Sequence, residues 1–185
     1  MKPHRNQSLL SNIKFNELKE KTEMKWFNNP TTLSELKEQY KKLCMQNHPD
    51  LGGNTADMQE INNEYELLFE KLKNVHRNSE GETYTKESTE TAEEFIHIIE
   101  VLTPLKNILV EICGSWIWVS GNTKEHKDIL KGLHFKYAYR KEAWYFHTEP
   151  YKKKGKRELT LDEIRDMFGS QSYQKKPEKQ LALQE

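Results

Sequence analysis

Positions 33, 36, 40, 43 and 44 are apolar (Leu, Leu, Tyr, Leu, Cys), spacings that fall along one stripe of a helix. Met58, Ile61, Tyr65, Leu68 and Leu72 repeat the pattern further on. Between them runs His48-Pro49-Asp50-Leu51-Gly52-Gly53, which ends the first helix at Pro49 and breaks the chain at the glycines. Two helices with facing stripes and a short loop predict an antiparallel hairpin carrying the loop at an exposed tip. Upstream, Leu9, Leu10, Ile13 and Leu18 make an incomplete stripe within 8–23, read as a short helix packed on the hairpin.

The pattern vanishes over 74–91 (NVHRNSEGETYTKESTET), a stretch with almost no apolar content that reads as a flexible linker. Phe95, Ile96, Ile99 and Leu102 restore a helix over 92–102, stopped at Thr103-Pro104. The period then changes to two. Ile108, Val110 and Ile112 mark a strand over 107–112, Gly114-Ser115 turns, and 116–120 reads as its partner. Gly121-Asn122-Thr123 supplies a break and a cap for a helix over 124–133. Phe135, Tyr137 and Tyr139 alternate in a third strand, and 143–147 forms a fourth. Thr160 and Glu163 make a capping box for a helix ending near Phe168, and the tail from 171 to 185 reads as disordered. The expected fold class is α+β: an all-α hairpin unit over 1–73, a linker over 74–91, and a small ββαββ domain with flanking helices over 92–170.

Composition narrows this picture. The 185 residues carry 29 basic and 29 acidic side chains with a mean hydropathy of −0.97, which suits one or two small domains with generous polar surface. The balance hides an asymmetry, since 74–111 carries a net −5 and 112–157 a net +7. A hairpin unit of about fifty residues buries only about 60% of its unfolded surface, so support from flanking segments is expected. Cys44 and Cys113 belong to no CxxC pair, which argues against a disulfide scaffold or a zinc module. No apolar run approaches membrane length and no secretory signal is recognisable, so the expected compartment is cytoplasmic, away from membranes.

The chemistry on offer in the first unit is binding. Pro49 steers His48 away from helical angles and fixes the direction of the loop. His48 then offers a donor and an acceptor, and Asp50 an acceptor. Lys37 and Lys41, four apart, share a helix face with reach to a carboxylate-rich surface, where charge pairing raises association rate and orientation. The plain alternative is a helix-stopping turn beside a solvated face of lysines.

ELKEQYKKLCMQNHPD and QEINNEYELLF together resemble the J domain of the DnaJ (heat-shock forty) co-chaperones over roughly 26–73. The resemblance implies a hairpin that docks on a DnaK-type ATPase, the seventy-kilodalton heat-shock chaperone, and stimulates its ATP hydrolysis. It also implies roles for particular residues. His48, Pro49 and Asp50 match the family's indispensable loop, and Tyr40, Lys41 and Lys42 its chaperone-facing residues, with Lys37 one turn earlier. The chain departs from the family at Glu38, often basic there, at Gln46-Asn47, in place of a basic–aromatic pair, and at Glu64, where Ala is usual. The family's CxxCxGxG zinc region and Gly/Phe-rich linker are absent.

In the second unit, Trp116, Trp118, Phe135, Tyr137, Tyr139, Trp144, Tyr145 and Phe146 crowd into a short span. Lys136, Arg140, Lys141, Lys152, Lys153, Lys154, Lys156 and Arg157 are interleaved with them or follow them. Aromatic sheets edged with cations bind single-stranded nucleic acid, each stacked base contributing roughly 1–3 kcal/mol. The candidate contacts are Trp116, Trp118, Trp144 and those basic residues. Two other readings stand beside this one: the aromatics as the core of a very small domain, or as a surface for protein clients. The text from Gly114 to His147 also resembles a C-terminal module of small J proteins from phages, plasmids and integrative elements.

Catalytic motifs are missing. There is no phosphate-cradling Gly loop followed by Lys-Ser/Thr and no G-x-S-x-G, and His126 and His147 lack a recognisable carboxylate or Cys partner. The expectation is a non-enzymatic, two-module co-chaperone with no cofactor and no metal. Its rival is a single-strand-binding protein with a vestigial hairpin, and a third reading is a structural adaptor.

Overall fold

The computed structural model describes residues 24–78, 80–148 and 159–168. The helix expected within 8–23, the basic run 152–157 and the tail from 171 lie outside them. Among the described residues the chain is mixed α+β, with helices leading and two small antiparallel sheets following.

Helix α1 (Leu33–Asn47) starts where the Thr32 hydroxyl accepts the Glu35 N–H and the Glu35 carboxylate accepts the Thr31 N–H in return. Helix α2 (Thr55–Leu72) is capped by Asn54, whose side chain accepts the Ala56 N–H. Arg77, just past the end of α2, reaches Glu35 in the first turn of α1 at 2.9 Å, so the two helices run antiparallel. The incoming chain is pinned by Glu64, which accepts the backbone N–H groups of Lys25 and Trp26 at 2.8 and 3.0 Å.

The stretch expected as a linker instead carries a hairpin of β1 (Val75–Arg77) and β2 (Thr83–Thr85). Asn78 organises its turn by accepting the Glu80 and Glu82 N–H groups, and Gly81 takes the left-handed φ of 85°. Such a hairpin is held by backbone and side-chain hydrogen bonds, so its polar residues leave no apolar stripe to read.

Helix α3 (Ala92–Leu102) packs against both α1 and α2. A four-stranded sheet follows in the order β3-β4-β6-β5, from β3 (Ile108–Cys113), β4 (Trp116–Gly121), β5 (Lys136–Ala138) and β6 (Ala143–Phe146). The short helix α4 (Lys127–Gly132) lies between β4 and β5 in sequence, and begins three residues later than its pattern predicts. Asn107, at φ 61°, enters β3 opposite Gly121, where a Cβ would stand 2.7 Å from the Asn107 carbonyl oxygen.

Strand alternation gives the sheet two apolar faces. Ile112, Ile117, Val119 and Trp144 join Leu36, Tyr40, Ile61, Tyr65, Phe95 and Ile99 in one continuous core that both sides of the stretch 74–91 share. Cys113, Trp118 and Ala143 face the other way, beneath Leu161 and Ile164 of helix α5 (Leu161–Phe168). Thr160 and Glu163 form the expected capping box. Arg165 of α5 grips the buried carboxylate of Glu111 in β3 through two hydrogen bonds of 2.7 and 2.5 Å.

Candidate functional site

The corner between α1 and α2 is a dense turn. The His48 N–H donates to the Cys44 carbonyl, and the His48 carbonyl accepts from both Leu51 and Gly53, each at 2.9 Å. Gly52 closes the turn in the left-handed region at φ 89°, which favours glycine. Gly53 is required for a different reason: any Cβ there would collide with the Asn47 carbonyl. The imidazole of His48 is buried, and its Nδ1 accepts the Asp50 N–H at 3.1 Å. That bond assigns the ring proton to Nε2. Pro49 and Asp50 are exposed. The expected tip therefore divides in two: His48 shapes the corner from within, while Pro49 and Asp50 are presented outward.

The face of α1 expected to meet a partner is turned inward. Lys37 is 2% exposed and forms an ion pair with buried Glu90, its ammonium 5.0 Å from the centre of the Phe95 ring. Lys41, equally buried, donates through Nζ to the Val110 carbonyl at 2.9 Å, and burial pushes its amine pKa down. Tyr40 is fully buried, its ring 4.5 Å from Tyr65, and its hydroxyl donates to Asn62 Oδ1 at 2.9 Å. Asn62 in turn donates to Glu100 at 2.9 Å, tying α1, α2 and α3 together. Of the four residues, Lys42 alone is exposed. The physical cause is the length of the lysine stem, whose methylenes pack as apolar surface while the amine reaches one polar partner. A narrow cleft beside Lys37 and Glu90, bounded also by Phe95, Ser115 and Phe146, has room for little more than a water molecule.

The second candidate set separates by strand face. Trp118 and Trp144 are buried on opposite faces of the sheet. Trp116 is half-buried and stacks on His147, ring centres 4.2 Å apart, and on Trp118 at 5.8 Å. Lys136 and Arg140 are exposed and Lys141 is half-buried; Lys152, Lys153, Lys154, Lys156 and Arg157 lie outside the described residues. The most exposed rings of the sheet are two outside that candidate set, Tyr137 and Tyr139. Their signal was the continuation of the Phe135 alternation to the end of a short edge strand, where nothing remains to cover them. The expected third strand in fact stops at Ala138, and Tyr139–Lys141 forms a single 3-10 turn closed by Glu142 at φ 50°.

Among the described residues, no group of three or more His, Cys, Asp and Glu side chains is placed to hold a metal ion. None of the described helices is long and apolar enough to cross a membrane. Compared with known protein families, curated proteins and solved structures, the chain matches none.

Proposed function

We propose that the chain is a J-type co-chaperone, which docks the corner between α1 and α2 on a DnaK-type chaperone and raises that partner's ATP turnover. One observation carries this reading. The His-Pro-Asp corner joins two antiparallel helices, is locked by hydrogen bonds from within, and directs Pro49 and Asp50 to solvent. A stiff corner presenting a carboxylate loses little conformational freedom when gripped, and this favours binding.

The docking surface under this reading is smaller than the family resemblance implies. It consists of Pro49 and Asp50 with Lys42 on the exposed side of α1. Lys37, Tyr40 and Lys41 act as the spine that joins α1 to Glu90, Asn62 and Val110, and set the corner's orientation from beneath. Hydrolysis belongs to the partner, and the sheet-bearing part of the chain chooses what the chaperone is brought to.

The test is steady-state ATPase of a DnaK-type chaperone with full-length wild type, Asp50→Asn, Lys42→Ala and His48→Gln. Asp50→Asn removes a charge from an exposed side chain and is expected to lower stimulation at least tenfold with an unchanged melting temperature. Lys42→Ala is expected to lower it several-fold. His48→Gln is expected to abolish it by loosening the corner. Wild-type stimulation from Asp50→Asn sinks the reading.

A further inference from the structure

The edge of the sheet at β5 presents aromatic rings in a way that the buried tryptophans do not. Tyr139 is 84% exposed, the most exposed large apolar side chain among those described. It is held nonetheless: its ring meets Tyr137 edge-on at 5.1 Å and 88°, and Tyr137 meets Trp144 edge-on at 5.3 Å and 60°. Trp144 is anchored in the core. Three rings thus step outward from the interior to solvent, and the last leaves its surface open to a flat partner. The preceding strand and the turn that follows fix its backbone, since β5 pairs with β6 through Tyr137 and Trp144 and Glu142 closes the turn in the left-handed region.

Charge identifies the partner. Residues 124–141 carry six basic and two acidic side chains, and Arg140 and Lys141 follow Tyr139 directly in sequence. Arg140 is exposed next to Tyr139 in the same turn, whereas Lys136, paired with Tyr145, lies on the other face of the strand from Tyr137. An acidic peptide would meet the positive charge but carries no planar base for the exposed Tyr139 ring. A duplex would offer phosphates but keep its bases stacked on each other. A single strand offers both a free base face and a phosphate.

We infer that Tyr139 and Tyr137, with Arg140 and Lys141 following in the same turn, form a stacking platform for single-stranded nucleic acid. This surface is independent of the corner at 48–50. Only one or two bases are stacked, so binding is modest, tolerant of sequence and strongly dependent on salt.

The test uses full-length protein and 15-nucleotide fluorescent oligothymidylate and oligouridylate, with a duplex of equal length as the third probe, titrated at several salt concentrations. Both single strands are expected to bind, with log affinity falling by about 0.7 per neutralised phosphate against log salt. Tyr139→Ala is expected to weaken binding about 5- to 150-fold, Tyr139→Phe to retain it, and Arg140→Ala to flatten the salt slope. Asp50→Asn is expected to leave it unchanged, which separates this surface from the proposed chaperone contact. Failure of both single strands to bind at low salt, equal binding of the duplex, or wild-type affinity in Tyr139→Ala overturns the inference.

Discussion

His48 and Asp50 are two residues apart and do different work. The imidazole faces inward and accepts the Asp50 N–H, and the carboxylate faces outward. Loss of a neutral hydrogen bond of this kind removes about 0.5–1.5 kcal/mol. His48→Gln is therefore expected to lower the melting temperature, whereas Asp50→Asn is not, and thermal unfolding of the two variants measures the difference. The cysteines give a second residue-scale prediction. Burial pushes the Cys44 thiol up to about 11 and the Cys113 thiol up to about 12 from an ordinary value near 9. Above pH 9 the unfolded chain then sheds protons that the folded chain keeps. Stability is intact below that pH and falls as pH rises towards 12, by at most about 1.4 kcal/mol per pH unit for each thiol. Lys41, whose amine burial pushes down, acts with the opposite sign. Cys113→Ala, which leaves Lys41 in place, is expected to flatten the alkaline decline in urea unfolding. Both thiols of the folded protein are expected to resist a thiol reagent at neutral pH.

At the scale of elements, α1 is gripped on two sides, by α2 through Tyr40 and by the sheet through Lys41, with Lys37 held by Glu90 in the chain leading into α3. Leaving one partner of a buried pair alone costs about 3–5 kcal/mol, whereas replacing both by apolar groups is often neutral. Glu90→Gln alone is expected to be strongly destabilising, and Lys37→Met combined with Glu90→Leu to recover most of the loss. A double-mutant cycle in urea measures the coupling. Equal destabilisation by the single and double variants would show that the pair does not hold α1 in place.

The two helical stripes, the strand alternation and the Thr160–Glu163 cap were legible because each depends on neighbours close in sequence. The inward turn of Lys37 and Lys41 was not. A lysine reads as surface until a carboxylate from position 90 or a carbonyl from position 110 is brought to it, and residue spacing carries no record of either. Glu64 stands where the J-domain pattern that the sequence resembles usually has Ala, and its partners are the N–H groups of Lys25 and Trp26, far away in sequence. The hairpin at 75–85 went unread because polar residues and backbone hydrogen bonds leave no apolar period.

Taken whole, the described residues build one core from two parts, each of a size that is marginal alone. Phe95 and Ile99 bridge them, standing between the aromatic cluster of α1 and α2 and the inner face of the sheet. The outward corner at 49–50 and the exposed tyrosines at 137 and 139 are left as two separate exposed surfaces on that core. The first of these is the proposed chaperone contact. Its most direct measurement is the affinity of immobilised full-length chain for an ATP-loaded DnaK-type chaperone, compared between wild type and Asp50→Asn with matched thermal stability. The complex with Asp50→Asn is expected to be at least tenfold weaker; equal affinity, or no complex with wild type, rules the contact out.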